Sequence, residues 1–162
     1  MNSPVTKTVL PAESTLHLRR EGRDFLDCYK VASALTAPDA AEIIVAFPEW
    51  AKILVALRNL ITSPFGLMKD GPASAQKLGF FPVESSSDAE VIAGFNDRHL
   101  DFRVSVLSKE GHIYLATWVR PHNIGGRIYL TSILPFHILI ARNALVRVAS
   151  IAQPGQKSPI AE

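Results

Sequence analysis

Apolar residues alternate most regularly between Arg98 and Ser108. Leu100, Phe102, Val104 and Val106 fall on one side there, and His99, Asp101, Arg103 and Ser105 on the other. A period of two marks a strand with one buried face. A second strand is expected from His112 to Arg120, after Lys109-Glu110-Gly111. If Glu110-Gly111 is a two-residue turn, Phe102 faces Val119, Val104 faces Thr117 and Val106 faces Leu115. On the polar side Asp101 then meets Arg120, Arg103 meets Trp118 and His99 meets His122. Opposite charges across a ladder attract, so an Asp101–Arg120 ion pair is expected. Phe25 to Val31 and Ala89 to Phe95 read as further strands. Gly125-Gly126 reads as another hairpin connection and makes Arg127 to Ser132 a strand as well.

Elsewhere the period is helical. Thr36-Ala37-Pro38-Asp39 is a helix start, with Thr36 as N-cap, and a short helix is expected from about Pro38 to Ala46. Pro48 restarts helical structure, in which Trp50, Ile53, Leu54, Leu57, Leu60 and Ile61 recur at helical spacing. The last element is a long helix from Ile133 or Pro135 to Ala152. Leu134, His137, Ile138, Ala141, Ala144, Leu145, Val148 and Ile151 form its apolar face. Pro135 suits a first turn, whose N–H groups have no intrahelical partner. Ala141 and Ala144 are small for a packed face, so a cavity is expected beside them, bordered by Leu57 and Ile61.

This order of elements predicts an α+β fold of helix-grip-like layout. A curved antiparallel sheet wraps a long C-terminal helix, with two short helices after the first strand. Residues 1–14, with Pro4 and Pro11 and no periodicity, read as a tail, 15–152 as one domain and 153–162 as a second tail.

Composition narrows the function classes. Hydrophobic residues are 48% and charged residues 20%, proportions of a folded domain. A net charge of +2 from 17 basic and 15 acidic residues gives no footprint for a nucleic-acid partner. Cys28 is the single cysteine, which excludes an internal disulfide framework. The first residues lack the basic-then-apolar layout of a signal peptide, and the uncharged run Ile128–Ala141 is too short for a membrane span. A cytoplasmic protein is expected. His99, His122 and His137 lack the spacing of a metal motif, so no metal and no cofactor are expected.

Three blocks carry a resemblance. The first is Trp50-Ala51-Lys52-Ile53-Leu54-Val55-Ala56-Leu57-Arg58-Asn59 running into Pro64-Phe65-Gly66-Leu67. The others are Asn96-Asp97-Arg98-His99-Leu100-Asp101-Phe102-Arg103, and Val119-Arg120-Pro121-His122-Asn123 continuing to Pro135-Phe136-His137. From about Asp24 to Val148 the chain resembles the bacterial domain-of-unknown-function family 2867, which is similar to the helix-grip ligand-binding superfamily. The resemblance implies the fold and assigns no catalytic residue. It also implies an interaction domain beside an epimerase-like or reductase-like enzyme as one role.

The candidate chemistry falls in two places. His99, Asp101, Arg103, Arg120 and His122 share the polar side of the hairpin, where guanidinium forks suit an anionic or carbonyl group. The same five residues equally suit a solvent-facing ladder on the outer side of the sheet. His137 sits within the apolar arc of the terminal helix near Ala141 and Ala144, as a proton-transfer group or as a structural histidine. Asp27 beside Cys28 raises its thiol pKa, so Cys28 is not a nucleophile. Two functions follow. One is non-covalent binding of a small apolar or amphipathic molecule between sheet and helix. The other is acid–base catalysis of cyclase or dehydratase type in that cavity, with His137 moving the proton and Arg103 or Arg120 holding an oxyanion.

Overall fold

The computed structural model describes residues 4–49, 51–52 and 76–151. Its strands are β1 (Thr6–Lys7), β2 (Phe25–Ala32), β3 (Lys77–Leu78), β4 (Phe81–Ser86), β5 (Glu90–Asn96), β6 (Leu100–Lys109) and β7 (His112–Pro121). The described helices include α1 (Ala37–Val45), the long C-terminal α2 (Ile124–Ile151) and a short 3-10 helix at Thr15–Arg19. The strands make one curved antiparallel sheet in the order β1-β2-β7-β6-β5-β4-β3. The fold is α+β and helix-grip-like in layout. Of the second short helix expected after β2, all but its first residues lies outside the described residues, as do Trp50, Leu54, Leu57 and Ile61.

The central hairpin has the expected register. Phe102 pairs with Val119, Val104 with Thr117 and Val106 with Leu115. Glu110 at φ 49° and Gly111 at φ 71° make the turn. Positive φ at both central residues is the type I′ geometry, whose twist matches that of the strands. Val106, Leu115 and the partly buried Val104 then join Tyr29, Val31, Val91 and Ala93 in the inner core. That core is closed by Ala37, Ala40, Ala41 and Ile44 of α1 and by Ala141, Ala144, Leu145 and Val148 of α2. α1 begins as expected: Thr36 Oγ1 accepts from the Asp39 N–H at 3.3 Å. Ala141 and Ala144 are 5% and 1% exposed, so their small size serves close packing in this cluster.

Two expectations need correction in α2. Arg127 to Ser132 is helix, not strand, and Gly125-Gly126 belongs to the first helical turn. Asn123 Oδ1 accepts from the Gly126 N–H at 3.0 Å, an N-cap that starts the helix there. A Cβ on Gly126 would stand 2.2 Å from the His99 carbonyl oxygen, so this glycine permits close packing and makes no hairpin. Pro135 therefore lies inside the helix. It has no N–H for the Thr131 carbonyl, a cost of roughly 3 kcal/mol in a helix interior.

The opposite face of the sheet is covered as well. β1 pairs with β2, and Leu10 and Leu16 pack with Cys28, Ile92, Ala116 and Trp118 in a second core. The segment read as a tail is thus packed: Val5 joins the inner core, while Leu10 and Ser14 are buried on this face. Its fastening is the buried Glu90 carboxylate. That group accepts from Ser14 Oγ at 2.5 Å, the Thr15 N–H at 2.9 Å, Thr15 Oγ1 at 2.8 Å and Ser105 Oγ at 2.6 Å.

Candidate functional site

Alternation along β2 sets Phe25, Asp27, Tyr29 and Val31 on the helix-facing side, so Asp27 is a carboxylate in an apolar row. It is 7% exposed and lies opposite Thr117 of β7. A buried carboxylate needs a donor, and α2 supplies one. His137 Nε2 lies 3.2 Å from Asp27 Oδ2 and 3.4 Å from Oδ1. A carboxylate only accepts, so Nε2–H donates and Nδ1 is left as the accepting atom of the neutral ring. Burial, followed by the charge of Asp27, raises the nearby Tyr29 phenol above its ordinary value.

The space around this pair is less sealed than the core beyond it. Leu130, Ile133, Leu134, His137 and Ile138 of α2 are half-buried, and full burial of side chains on this helix begins at Ala141. The inner face of the sheet carries aromatic rings at the β6 start. Phe102 meets Phe95 at 4.7 Å and Phe81 at 5.4 Å between ring centroids, both edge-on.

Arg103 and Arg120 lie elsewhere. Register puts them on the other face of the sheet from Asp27 and His137, under the N-terminal segment. Arg103 is 7% exposed, not the solvent-facing residue of an outer ladder. Its Nε donates to Glu84 at 2.5 Å, Nη1 to the Phe102 carbonyl at 2.7 Å and Nη2 to Asn96 Oδ1 at 2.9 Å. Arg19 also pairs with Glu84. Gly94 stands opposite Arg103, at φ 146°, and a Cβ there would meet the Phe102 carbonyl at 2.3 Å. The expected Asp101–Arg120 ion pair is replaced. Arg120 Nη2 donates to Asp24 at 2.9 Å and to the Arg19 carbonyl at 2.8 Å, and its guanidinium lies 5.2 Å over the Trp118 ring. Asp24 also accepts from Trp118 Nε1 at 3.0 Å. Burial pushes the Asp24 carboxyl up, but the hydrogen bonds from Arg120, the Glu21 backbone and Trp118 outweigh it and hold the carboxyl below its ordinary value.

Asp101 turns to His122 Nε2 at 3.1 Å, while its buried Oδ1 has no partner among the described residues. His99 Nδ1 lies within 3.3 Å of the Asn123 side chain that caps α2. The five polar hairpin residues are therefore spread over a network already filled by Asp24, Glu84 and Asn96. His137 does not converge with either arginine, and an oxyanion site shared by the three is excluded by the sheet between them. The thiol of Cys28 is pushed up to about 12, by burial first and Asp27 second, as the sequence indicated. Among the described residues no group of three His, Cys, Asp or Glu side chains is placed to hold a metal ion.

Asp27 is the residue that sequence reasoning missed as a site member. A signal existed, since it interrupts the apolar row Phe25, Tyr29, Val31 on a strand read correctly. Glu84 and Asp24 carried no such signal, because their partners lie across the sheet or on a turn.

The family described as Protein of unknown function (DUF2867) matches residues 20–144. The chain belongs to this family. The match takes in β2 through the first part of α2, and so includes Asp27, Arg103, Arg120 and His137. No curated protein matches the chain, and no solved structure does.

Proposed function

We propose that this DUF2867 protein binds a small apolar or amphipathic molecule, without covalent chemistry, between the inner face of the sheet and the first half of α2. The observation that carries the reading is the polar Asp27–His137 pair set in an apolar row, on the stretch of α2 where Leu130, Ile133, Leu134 and Ile138 are only half-buried. Such a mixture of apolar wall and one oriented polar group is the usual make-up of a small-molecule site. His137 Nδ1 would accept from a hydroxyl or protonated carboxyl head group, and the aliphatic part would lie against the half-buried helix side chains. The test is a thermal-shift panel of fatty acids, alkanols and sterols, with mass spectrometry of organic extracts of the purified protein. A ligand at a hundredfold excess over its Kd stabilises by about 2.7 kcal/mol, and His137→Ala should abolish that gain. No co-purified molecule and no shift across the panel would end this reading.

Acid–base catalysis is the second reading, favoured by the same bond. An aspartate that fixes the tautomer of a histidine and stabilises its imidazolium is a recurrent device for proton transfer. It requires turnover that depends on His137 and is reduced by Asp27→Asn, which keeps the shape and removes the charge.

A further inference from the structure

We propose that the outer face of α2 seats the domain on an anionic lipid bilayer, lying in the membrane interface without crossing it. This face is the side of α2 away from His137, so the inference is independent of the ligand site. Ile124, Ile128, Phe136, Leu139 and Val146 are 75%, 62%, 47%, 55% and 40% exposed. At about 100° per residue they fall within roughly 60° of Leu139 on the helical wheel, a stripe running most of the helix length. A helix apolar on all sides is normally buried on all sides. This one has a mean hydropathy of 1.4 over its most apolar window, yet only 11% of that window is buried.

Charge decides what covers the stripe. α2 contains no acidic residue, and the exposed Arg127 and Arg142 bracket its uncharged run. Arg147 is spent elsewhere, donating to the Ile43 and Ile44 carbonyls at 3.3 and 3.1 Å. A second copy packed along the stripe would use the three-four seam Ile128, Ser132, Pro135, Leu139, Arg142 and Val146. Ser132 and Pro135 are poor knobs, and Arg142 would meet a helix with no carboxylate to answer it. Phospholipid phosphates and serine head groups answer both arginines, while the acyl boundary takes Ile128, Phe136 and Leu139.

Spanning is ruled out by the same geometry. Ala141, Ala144, Leu145 and Val148 are fixed in the inner core, which leaves the run from Ile128 to Ile140. That run is about 20 Å long, against about 30 Å of hydrocarbon.

The test is flotation of the full chain with two kinds of vesicle, phosphatidylcholine alone and phosphatidylcholine with about 30% phosphatidylserine. The protein should float with the serine-containing vesicles, and less so as salt is raised. Phe136→Ser with Leu139→Asp should reduce the bound fraction at least tenfold with an unchanged circular-dichroism melt. Arg127→Gln with Arg142→Gln should remove the preference for anionic vesicles. If the first pair disturbs the melt, Ile128→Ser, at the most exposed large hydrophobic side chain within the uncharged run, replaces it. Failure to float, or flotation unchanged by these substitutions, overturns the proposal. So does a wild-type dimer in vesicle-free buffer that Phe136→Ser with Leu139→Asp splits, since the face then belongs to a second copy. Thermal shifts with soluble ligands read the inner side of α2, so the two readings fail separately.

Discussion

Asp27 stands among Phe25, Tyr29 and Val31, where an aliphatic side chain would pack without desolvation cost. What keeps it there is His137, 3.2 Å away on α2. Removing one member of a buried pair strands the other, and a stranded carboxylate is the worse case. His137→Ala should therefore cost about 3 kcal/mol, because it leaves a buried carboxylate without its donor, and Asp27→Asn clearly less, because an amide can still accept from Nε2–H. Denaturant midpoints of the two single variants and the double variant measure the coupling. Equal and small losses, below about 0.5 kcal/mol, would show that the contact contributes nothing to the fold.

Elements show where local chemistry prevails and where it gives way. The β6–β7 turn is local. Two residues separate strands of matched alternation, and the type I′ connection they make needs positive φ at both positions. Gly111 meets that requirement freely, but Glu110 holds φ 49° with a Cβ to accommodate. Asn tolerates this region far better, so Glu110→Asn should stabilise the protein by about 1 kcal/mol, read as a rise in the urea midpoint at unchanged slope. A fall in the midpoint would show that the ion pair of Glu110 with Lys109, at 3.8 Å, matters more than the backbone. The start of α2 is the opposite case. Ile128, Tyr129 and Thr131 favour strand, and Gly125-Gly126 mimics a hairpin loop. Helix wins because Asn123 caps it and because Gly126 fits under the His99 carbonyl, a contact made by a residue far away in sequence.

For the whole molecule, the covering of the outer face by the N-terminal segment has a pH dependence. Burial raises the pKa of Glu90, but hydrogen bonds from Ser105, Ser14 and Thr15 outweigh it, and the carboxyl is held below its ordinary 4.5. A group whose folded pKa is depressed contributes stability that is complete above its unfolded value and is lost as pH falls through the folded one. Thermal melts from pH 7 down to pH 3 should therefore show an acid decline that Glu90→Gln flattens. At pH 7 the same change should cost about 1.5–3 kcal/mol, the worth of hydrogen bonds to a charged acceptor. Parallel acid limbs in the two proteins would show that Glu90 does not drive the decline.

The amino-acid sequence by itself determined the α+β class, the central hairpin with its register and the start of α1. These depend on a period of two, a two-residue turn and a cap, all carried by neighbours in the chain. It also determined that Cys28 is inert, since burial on a strand beside an aspartate suffices. Only the tertiary structure decided that Asp27 and His137 meet, that Arg103 and Arg120 lie on the other face, and that Leu10 and Leu16 cover that face. The physical reason is the same in each case. A polar group chooses among all donors within about 3 Å, and which donors come that close is settled by packing of elements distant in sequence. Arg120 lies opposite Asp101 in the ladder yet bonds to Asp24, because that carboxylate also accepts from Trp118 and sits where the N-terminal segment turns into β2.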